Sequence, residues 1–462
     1  MAKKGNNPLR FTDPFYKTQY GRSHMSKQHF LKGTLILTCA GMLTKLIGFF
    51  YRIFLSHTIG AQGLGLSQLL MPVQTLVMAL STTGIQTAIS RLAAAEFAVG
   101  KPDKARDKFI TGTISAFLLS CSISAILYLN ADFFAVQILK EPRTMSLIRL
   151  LSFNFPLSSL HSCINSYSFA QQKAEIPSSI QLLEQIVRVG ISYLLFLIFL
   201  SEGKEITPVI AVGGALAGEC AAVISSLLCV GHHFQIHHYS PFLLKNFIPD
   251  LKDLFRMSVP LTLNRVLLTL LGSIEAVLLP QQLRAFGMNS AEALSVYGIF
   301  TGMAMPLILF PSAITNSASV MLMPSIAELQ ALGYKKRIRY VTSKASLYCL
   351  LLGIGCWFLF FFFGKMLGIF LFKSPTAGNY IHILSFICPF LYLNVTLSSI
   401  LNGLGKPGIC LIHNAAGQCI RISFVLLTVP RIGIRGYLYG ILISESVLSA
   451  LHLKALLFSR HP

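Results

Sequence analysis

Acidic side chains are scarce in this sequence: 17 Asp and Glu stand against 38 Lys and Arg, and charged residues of both signs make up only 12% of 462. Soluble domains carry roughly twice that charge density. Long polar stretches are missing too, so the two or three soluble domains that this length would otherwise suggest have no place in the chain. No CxxC pair occurs. The cysteines, at 39, 121, 163, 220, 229, 349, 356, 388, 410 and 419, fall inside or beside apolar runs and read as buried free thiols, not disulfides or zinc ligands. Nucleophile–base arrangements, carboxylate pairs in a polar domain and a P-loop are all lacking. No enzyme site, metal or cofactor is expected.

What is present is apolar. Hydrophobic residues make up 53% of the chain and the mean hydropathy is +0.65. Runs of about 20 residues, each long enough to cross a bilayer as a helix, recur from Gly33 to Phe458. They are continuous rather than alternating, which excludes a spanning β-barrel. The fold class is therefore all-α, a polytopic membrane protein with about twelve spans: 33–55, 66–93, 108–129, 145–168, 178–200, 208–231, 257–280, 294–322, 343–372, 378–402, 409–429 and 436–458. The formal charge of +21 would suggest nucleic acid on a soluble protein. Here the basic residues lie between apolar runs, where they set topology and meet anionic lipid, so no nucleic-acid partner is expected. Residues 1–32 hold seven Lys and Arg and no apolar core before Leu31; they read as a basic cytoplasmic tail, not a signal peptide. With that tail inside, most loop Lys and Arg fall on the cytoplasmic side and both termini are cytoplasmic.

The chain repeats itself. Gln185-Ile-Val-Arg-Val189 matches Gln418-Cys-Ile-Arg-Ile422 at an offset of 233, which also maps Lys173 onto Lys406, Gly100 onto Gly333 and Arg106 onto Arg339. Gly214…Glu219 pairs with Gly440…Glu445 at an offset of 226. A common register across several loops predicts two six-helix lobes related by a parallel repeat about the membrane normal. The expected divisions are a tail (1–32), a lobe (33–231), a cytoplasmic linker (232–249), a second lobe (250–458) and a short tail (459–462). The linker's His232, His233, His237 and His238 read as wet interfacial residues, not metal ligands.

Charged residues within spans are costly and usually functional. On the first span Gly41, Lys45, Gly48 and Arg52 share one helical face. That face either turns inward to a central cavity, or its two cations snorkel to opposite surfaces. Arg265, Thr269 and Gly272 form a similar stripe on the seventh span, with Glu275 off to one side. Glu184 and Arg188 are spaced to neutralise one another, whereas Arg421 repeats the Arg188 position without a nearby acid and needs a partner elsewhere. Glu219 and Glu445, at matched positions among small residues, are either ion-coupling sites or packing hydrogen bonds. Gln68, Pro72, Thr75, Thr82 and Gln86 share about one face of the second span, and the eighth carries Pro306, Pro311, Ser312, Thr315, Asn316 and Ser319. Prolines there loosen the helix and allow bending. Gly403-Leu-Gly-Lys-Pro-Gly408 follows a span and is a turn, not a dinucleotide motif. Asn394-Val-Thr396, a glycosylation sequon by pattern, lies inside a span.

Thr44-Lys-Leu-Ile-Gly-Phe-Phe-Tyr-Arg52, Ile59-Gly-Ala-Gln-Gly-Leu-Gly-Leu66, Gly84-Ile-Gln-Thr-Ala-Ile-Ser-Arg91 and Ala95-Glu96 resemble stage V sporulation protein B and its polysaccharide-transporter relatives. Glu184-Gln-Ile-Val-Arg188 and Leu401-Asn-Gly-Leu-Gly-Lys406 fit the same pattern. The resemblance covers about residues 31–458. It implies a monomeric two-lobed transporter of the bacterial cytoplasmic membrane, with a central cavity that alternates between faces. The implied cargo is a lipid-linked anionic sugar, a polyprenyl-pyrophosphate oligosaccharide, turned from the inner to the outer leaflet among membrane lipids. In such flippases, cations on the first helix and on the helix opening the second lobe meet the pyrophosphate. The matching positions are Lys45, Arg52 and Arg265, with Arg91 at the cytoplasmic end of its helix. Lipid II flippases and the sporulation protein usually have fourteen spans rather than twelve, so a groove built by two extra helices is missing. The competing class, a multidrug and toxin extrusion pump, handles cations with intramembrane acids, yet no expected span contains Asp.

Overall fold

A computed structural model describes residues 40–173, 175–237 and 247–458, and the described residues form helices and turns without a strand. The tail 1–32, the start of the first span, Cys39, His238 and Pro241 of the linker, and residues 459–462 lie outside the described residues. The long helices are α1 (40–58), α2 (Gly60–Ala98), α3 (Pro102–Leu129), α4 (Met145–Ser152, continued by Asn154–Ala170), α5 (Glu175–Ser201) and α6 (Val209–His237). They are followed by α7 (Phe247–Ala285), α8 (Ser290–Leu309, continued by Ser312–Ala331), α9 (Lys335–Phe372), α10 (Pro375–Gly403), α11 (Pro407–Leu427) and α12 (Ile434–Phe458).

Among the described residues, ten helical stretches are long and apolar enough to cross a bilayer. The remaining expected spans, the first and fourth, fall on α1 and α4. The protein is a multi-pass membrane protein, and its exposed Leu, Ile and Phe side chains on α5, α7 and α9 are the face such a bundle turns to lipid. The helix α6 continues through His232 to His237, past the expected end of the sixth span.

Local sequence explains where the helices begin. Pro102, Pro375 and Pro407 each sit at the first helical position, where the missing N–H costs nothing and φ is already set. Ser374 caps α10 by accepting from the Ala377 N–H, and Asn289 and Glu292 form a reciprocal capping box at α8. Gly100 and Gly333, 233 residues apart, both close turns at φ +72°, a left-handed conformation open to glycine. Prolines mark the breaks. Pro72 follows the interruption of α2 at Leu70, and Pro306 and Pro311 flank the interruption of α8 near Phe310.

Helices α2 to α6 pack on one another, and α8 to α12 form a second group; α7 lies against α2 and α3 on one side and α11 on the other. The two groups meet chiefly at one end, where the start of α2 crosses the start of α8. The backbones nearly touch there: a Cβ on Gly298 would lie 2.1 Å from the Ala61 carbonyl oxygen, and one on Gly65 would lie 2.1 Å from that of Leu294. Close approach through small residues is how helices associate without a hydrophobic drive.

Candidate functional site

A cavity of about 550 Å³ lies between the two groups, walled by α1, α2 and α8. Lys45, Gly48, Phe49 and Arg52 enter from α1, Gln68 from α2, and Thr301, Pro306, Ser312 and Asn316 from α8. The shared face of Lys45, Gly48 and Arg52 read from helical spacing is the face turned to this space. Two cations and no acid line it, and neither cation makes an ion pair among the described residues. Thr301, Ser312 and Asn316, spaced i, i+11 and i+15, share one face of α8 and stand on the same wall. Thr75 instead bonds the Met71 carbonyl oxygen, and Thr82 is buried against Ser81.

Arg265 and Arg91 are exposed, and neither is in the wall of this cavity. Of the three cations expected to share one cavity, Lys45 and Arg52 are brought together in this wall, which α1, α2 and α8 form, and Arg265 is not part of it. Thr262 of α7 packs against Gly84, and Gly272 faces the Gln418 amide. Arg265 lies on the arc of α7 between those two contacts.

Two further groups of charges in the helices are paired and largely shielded. In the first group Arg188 hydrogen-bonds to Glu184, and Glu219 lies 2.9 Å from His161 Nδ1. Ligand atoms of His161, Glu184 and Glu219 all fall within 4.8 Å of one another, a spacing that could hold a cation. With Arg188 already on Glu184, one further positive charge balances the two carboxylates. In the second group Arg421 Nε donates to Glu275 at 2.9 Å and its Nη1 to Glu445 at 3.4 Å. Tyr437 donates to Glu275 at 2.6 Å, and Asn394 donates to Glu445 at 2.8 Å. The partner that Arg421 needed is thus Glu275, with Glu445. Two members of these networks, His161 and Asn394, carry no local signal in the sequence. The offset of 233 that aligns Arg188 with Arg421 also aligns them.

At the end where the groups meet, a polar latch joins the α3–α4 connection to α7 and α8. Arg284 donates to Glu141 at 3.0 Å and to the Lys140 carbonyl oxygen at 2.9 Å. Ser290 donates to Glu141 at 2.7 Å, and Gln281 to the Ile138 carbonyl oxygen at 3.2 Å. Burial opposes the charge of Glu141, but hydrogen bonds from Arg143 and Ser290 and the charges of Arg143 and Arg284 outweigh it. The carboxyl is held below the ordinary carboxylate range.

Residues 30–330 match the family described as polysaccharide biosynthesis protein. The chain belongs to that family. The chain is 29% identical over 433 residues to stage V sporulation protein B of Bacillus subtilis (strain 168), covering 93% of this chain and 83% of that protein. Among solved structures, the inward closed conformation of the lipid II flippase MurJ is similar with a TM-score of 0.68 at 13% identity, over 91% of this chain and 87% of that one. A MOP superfamily transporter from Pyrococcus furiosus, reported with a binding pocket of reversed polarity, has a TM-score of 0.65 at 16% identity, over 94% and 95% of the two chains. These likenesses establish the helical fold of this polysaccharide biosynthesis family member as that of membrane transporters.

Proposed function

We propose that this protein is a flippase that carries a polyprenyl-pyrophosphate-linked oligosaccharide, or a related cell-wall or polysaccharide precursor, from the inner to the outer leaflet of the bacterial cytoplasmic membrane. The observation that carries the proposal is the cavity wall, with Lys45 and Arg52 and no acid. An unpaired cation at mid-membrane costs about 2.5–3.5 kcal/mol on insertion scales. A phosphate offsets that cost through charge-assisted hydrogen bonds, to which the planar guanidinium of Arg52 is suited. Lys45 and Arg52 are seven residues apart, about 10 Å along the helix, enough to hold a pyrophosphate and the sugar beside it. The cavity volume falls in the range that encloses a small-molecule head group. Family membership and the sporulation relative support a polysaccharide precursor as cargo.

The latch supports alternating access. The halves are tied together where Glu141, Arg284 and Ser290 meet, and α1 and the second part of α8 flank the space leading to the other end. With both termini cytoplasmic, the tied end is the outer one, and Lys101, Lys173, Lys336 and Lys406 mark the cytoplasmic loops, while Lys245 lies outside the described residues. Exposed Arg265 and Arg91 then stand along the approach to the cavity rather than in it. The proposal also takes the halves as parallel copies of six spans each. A Cβ on Gly48 would lie 3.5 Å from Gln185 Nε2, and one on Gly272 3.6 Å from Gln418 Nε2, which supports pairing α1 with α7 and α5 with α11.

The test is reconstitution in vesicles with a labelled polyprenyl-pyrophosphate oligosaccharide and, separately, a cationic dye. Movement of the lipid-linked sugar is expected. Movement of the dye alone would sink the proposal and favour a multidrug exporter.

A further inference from the structure

Beyond the cavity, the second half holds a column of polar side chains. His413 Nδ1 of α11 lies 2.9 Å from His452 Nδ1 of α12, and His452 Nε2 lies 3.1 Å from Ser398 Oγ of α10. His413 is half-buried near the end of the bundle that holds Lys406, whereas His452 is fully buried. One turn further along both α10 and α12, Ser449 donates to Asn394 Oδ1 at 2.7 Å and Asn394 donates to Glu445. Glu445 leads through Arg421 to Glu275 and Tyr437.

Charge explains why the column matters. Glu275 and Glu445 contribute two negative charges and Arg421 one positive, so the cluster carries a net charge of −1 in the interior of a membrane protein. Burying an unbalanced charge is costly, and one proton removes it. Among the described residues, the other titratable groups bonded into the column are His413 on α11 and Tyr437 and His452 on α12. From α10, Ser398 brings a hydroxyl and Asn394 an amide. The histidines, each with one N–H and one lone pair as a neutral imidazole, are thus the groups able to relay a proton toward the carboxylates.

We propose that His413, His452 and Ser398 form a proton relay between the solvent at the Lys406 end and the Glu275–Glu445–Arg421 cluster, making the second half a proton-binding body. A hydrogen bond between the two Nδ1 atoms requires one N–H and one lone pair, and two arrangements satisfy this. In the first, His413 Nδ1–H donates to His452 and His452 Nε2–H donates to Ser398. A proton arriving at His413 Nε2 sends the Nδ1 proton to His452 Nδ1, and His452 releases its Nε2 proton to Ser398 Oγ. Ser398 passes its own hydroxyl proton to a water molecule, which delivers a proton to a Glu445 carboxylate oxygen. The water bridges one helical turn, about 5.4 Å. The relay is left in the second arrangement, with His452 Nδ1–H donating to His413 and Ser398 donating to His452 Nε2. Reversing the hydrogen bonds resets it.

Infrared difference spectra after a pH jump test this on the purified full chain in lipid nanodiscs, with no cargo needed, so failure of the flippase proposal would not affect the result. Acidification is expected to produce a protonated-carboxyl C=O band in the wild type that is absent from Glu445→Gln. In His452→Gln the band should reach the same amplitude but rise at least tenfold more slowly, and the same slowing in His413→Gln, at the half-buried end, guards against a folding defect. The relay is overturned if both histidine variants protonate at the wild-type rate. It is equally overturned if Glu445→Gln leaves the carboxyl band unchanged.

Discussion

The two halves solve one electrostatic problem with different residues. Each buries two carboxylates and one arginine: Glu184, Glu219 and Arg188 in the first, Glu275, Glu445 and Arg421 in the second. In the first, an imidazole touches the acid directly, His161 to Glu219. In the second, a carboxamide that cannot change its charge, Asn394, takes that place against Glu445, and the histidines stand about one turn away. The arginines differ as well. Arg188 holds a carboxylate one turn away on its own helix, whereas Arg421 ties α11 to α7 and α12. A local pair stiffens one helix; a pair spanning three helices holds a half together.

That contrast sets the largest expected effect. Arg421→Ala leaves Glu275 and Glu445 without their cation, and breaking a buried pair costs about 3–5 kcal/mol. Arg188→Ala should cost clearly less, because its side chain is 29% exposed against 19% for Arg421 and His161 remains beside the acids. Unfolding of the two purified variants in detergent measures the difference, and equal losses would break the comparison.

A smaller effect is expected where the halves join. Glu141→Gln removes a charged hydrogen-bond acceptor from Arg284 and Ser290, worth about 1.5–3 kcal/mol. The sign with pH follows from the held-down carboxyl. The latched Glu141 titrates below the unlatched one, so latching is fully favoured above the unlatched value of about 4.3. The advantage is lost as pH falls through the latched value. Spin labels on the α3–α4 connection and the α7–α8 turn should move apart on acidification in the wild type and be apart already in Glu141→Gln. A distance unaffected by either change would show that the latch does not hold this end.

The smallest expected effect is that of His161→Asn, which gives the first half the residue of the second. Asn can still donate to Glu219, so the cost should be about 1 kcal/mol, that of one altered hydrogen bond, read as a small shift in thermal unfolding. A loss as large as that of Arg421→Ala would mean that the two networks are not built alike.

Much of this was legible in the sequence, and the misses share a cause. Continuous apolar runs gave the helices, since a bilayer leaves the backbone few alternatives. The Lys45–Gly48–Arg52 face and the Glu184–Arg188 pair were readable because both lie within one helix, where spacing fixes geometry. The partner of Arg421 was not, because Glu275 is 146 residues away and packing alone brings them together. Arg265 was grouped with Gly272 by spacing, yet Gly272 is a contact with α11 and the cavity wall comes from α8. His161 and Asn394 look like isolated polar residues within apolar runs, and only the 233-residue register reveals them as a pair.

The central claim, that the cation-lined cavity receives a pyrophosphate, is tested most directly by equilibrium binding of a polyprenyl-pyrophosphate oligosaccharide to the purified protein in nanodiscs. Arg52→Ala is expected to weaken binding at least about tenfold, the loss of one charge-assisted hydrogen bond, and Arg52→Lys to restore part of it. Lys45→Ala should weaken it as well, with both variants folded and inserted. Wild-type affinity in Arg52→Ala and Lys45→Ala would contradict the claim.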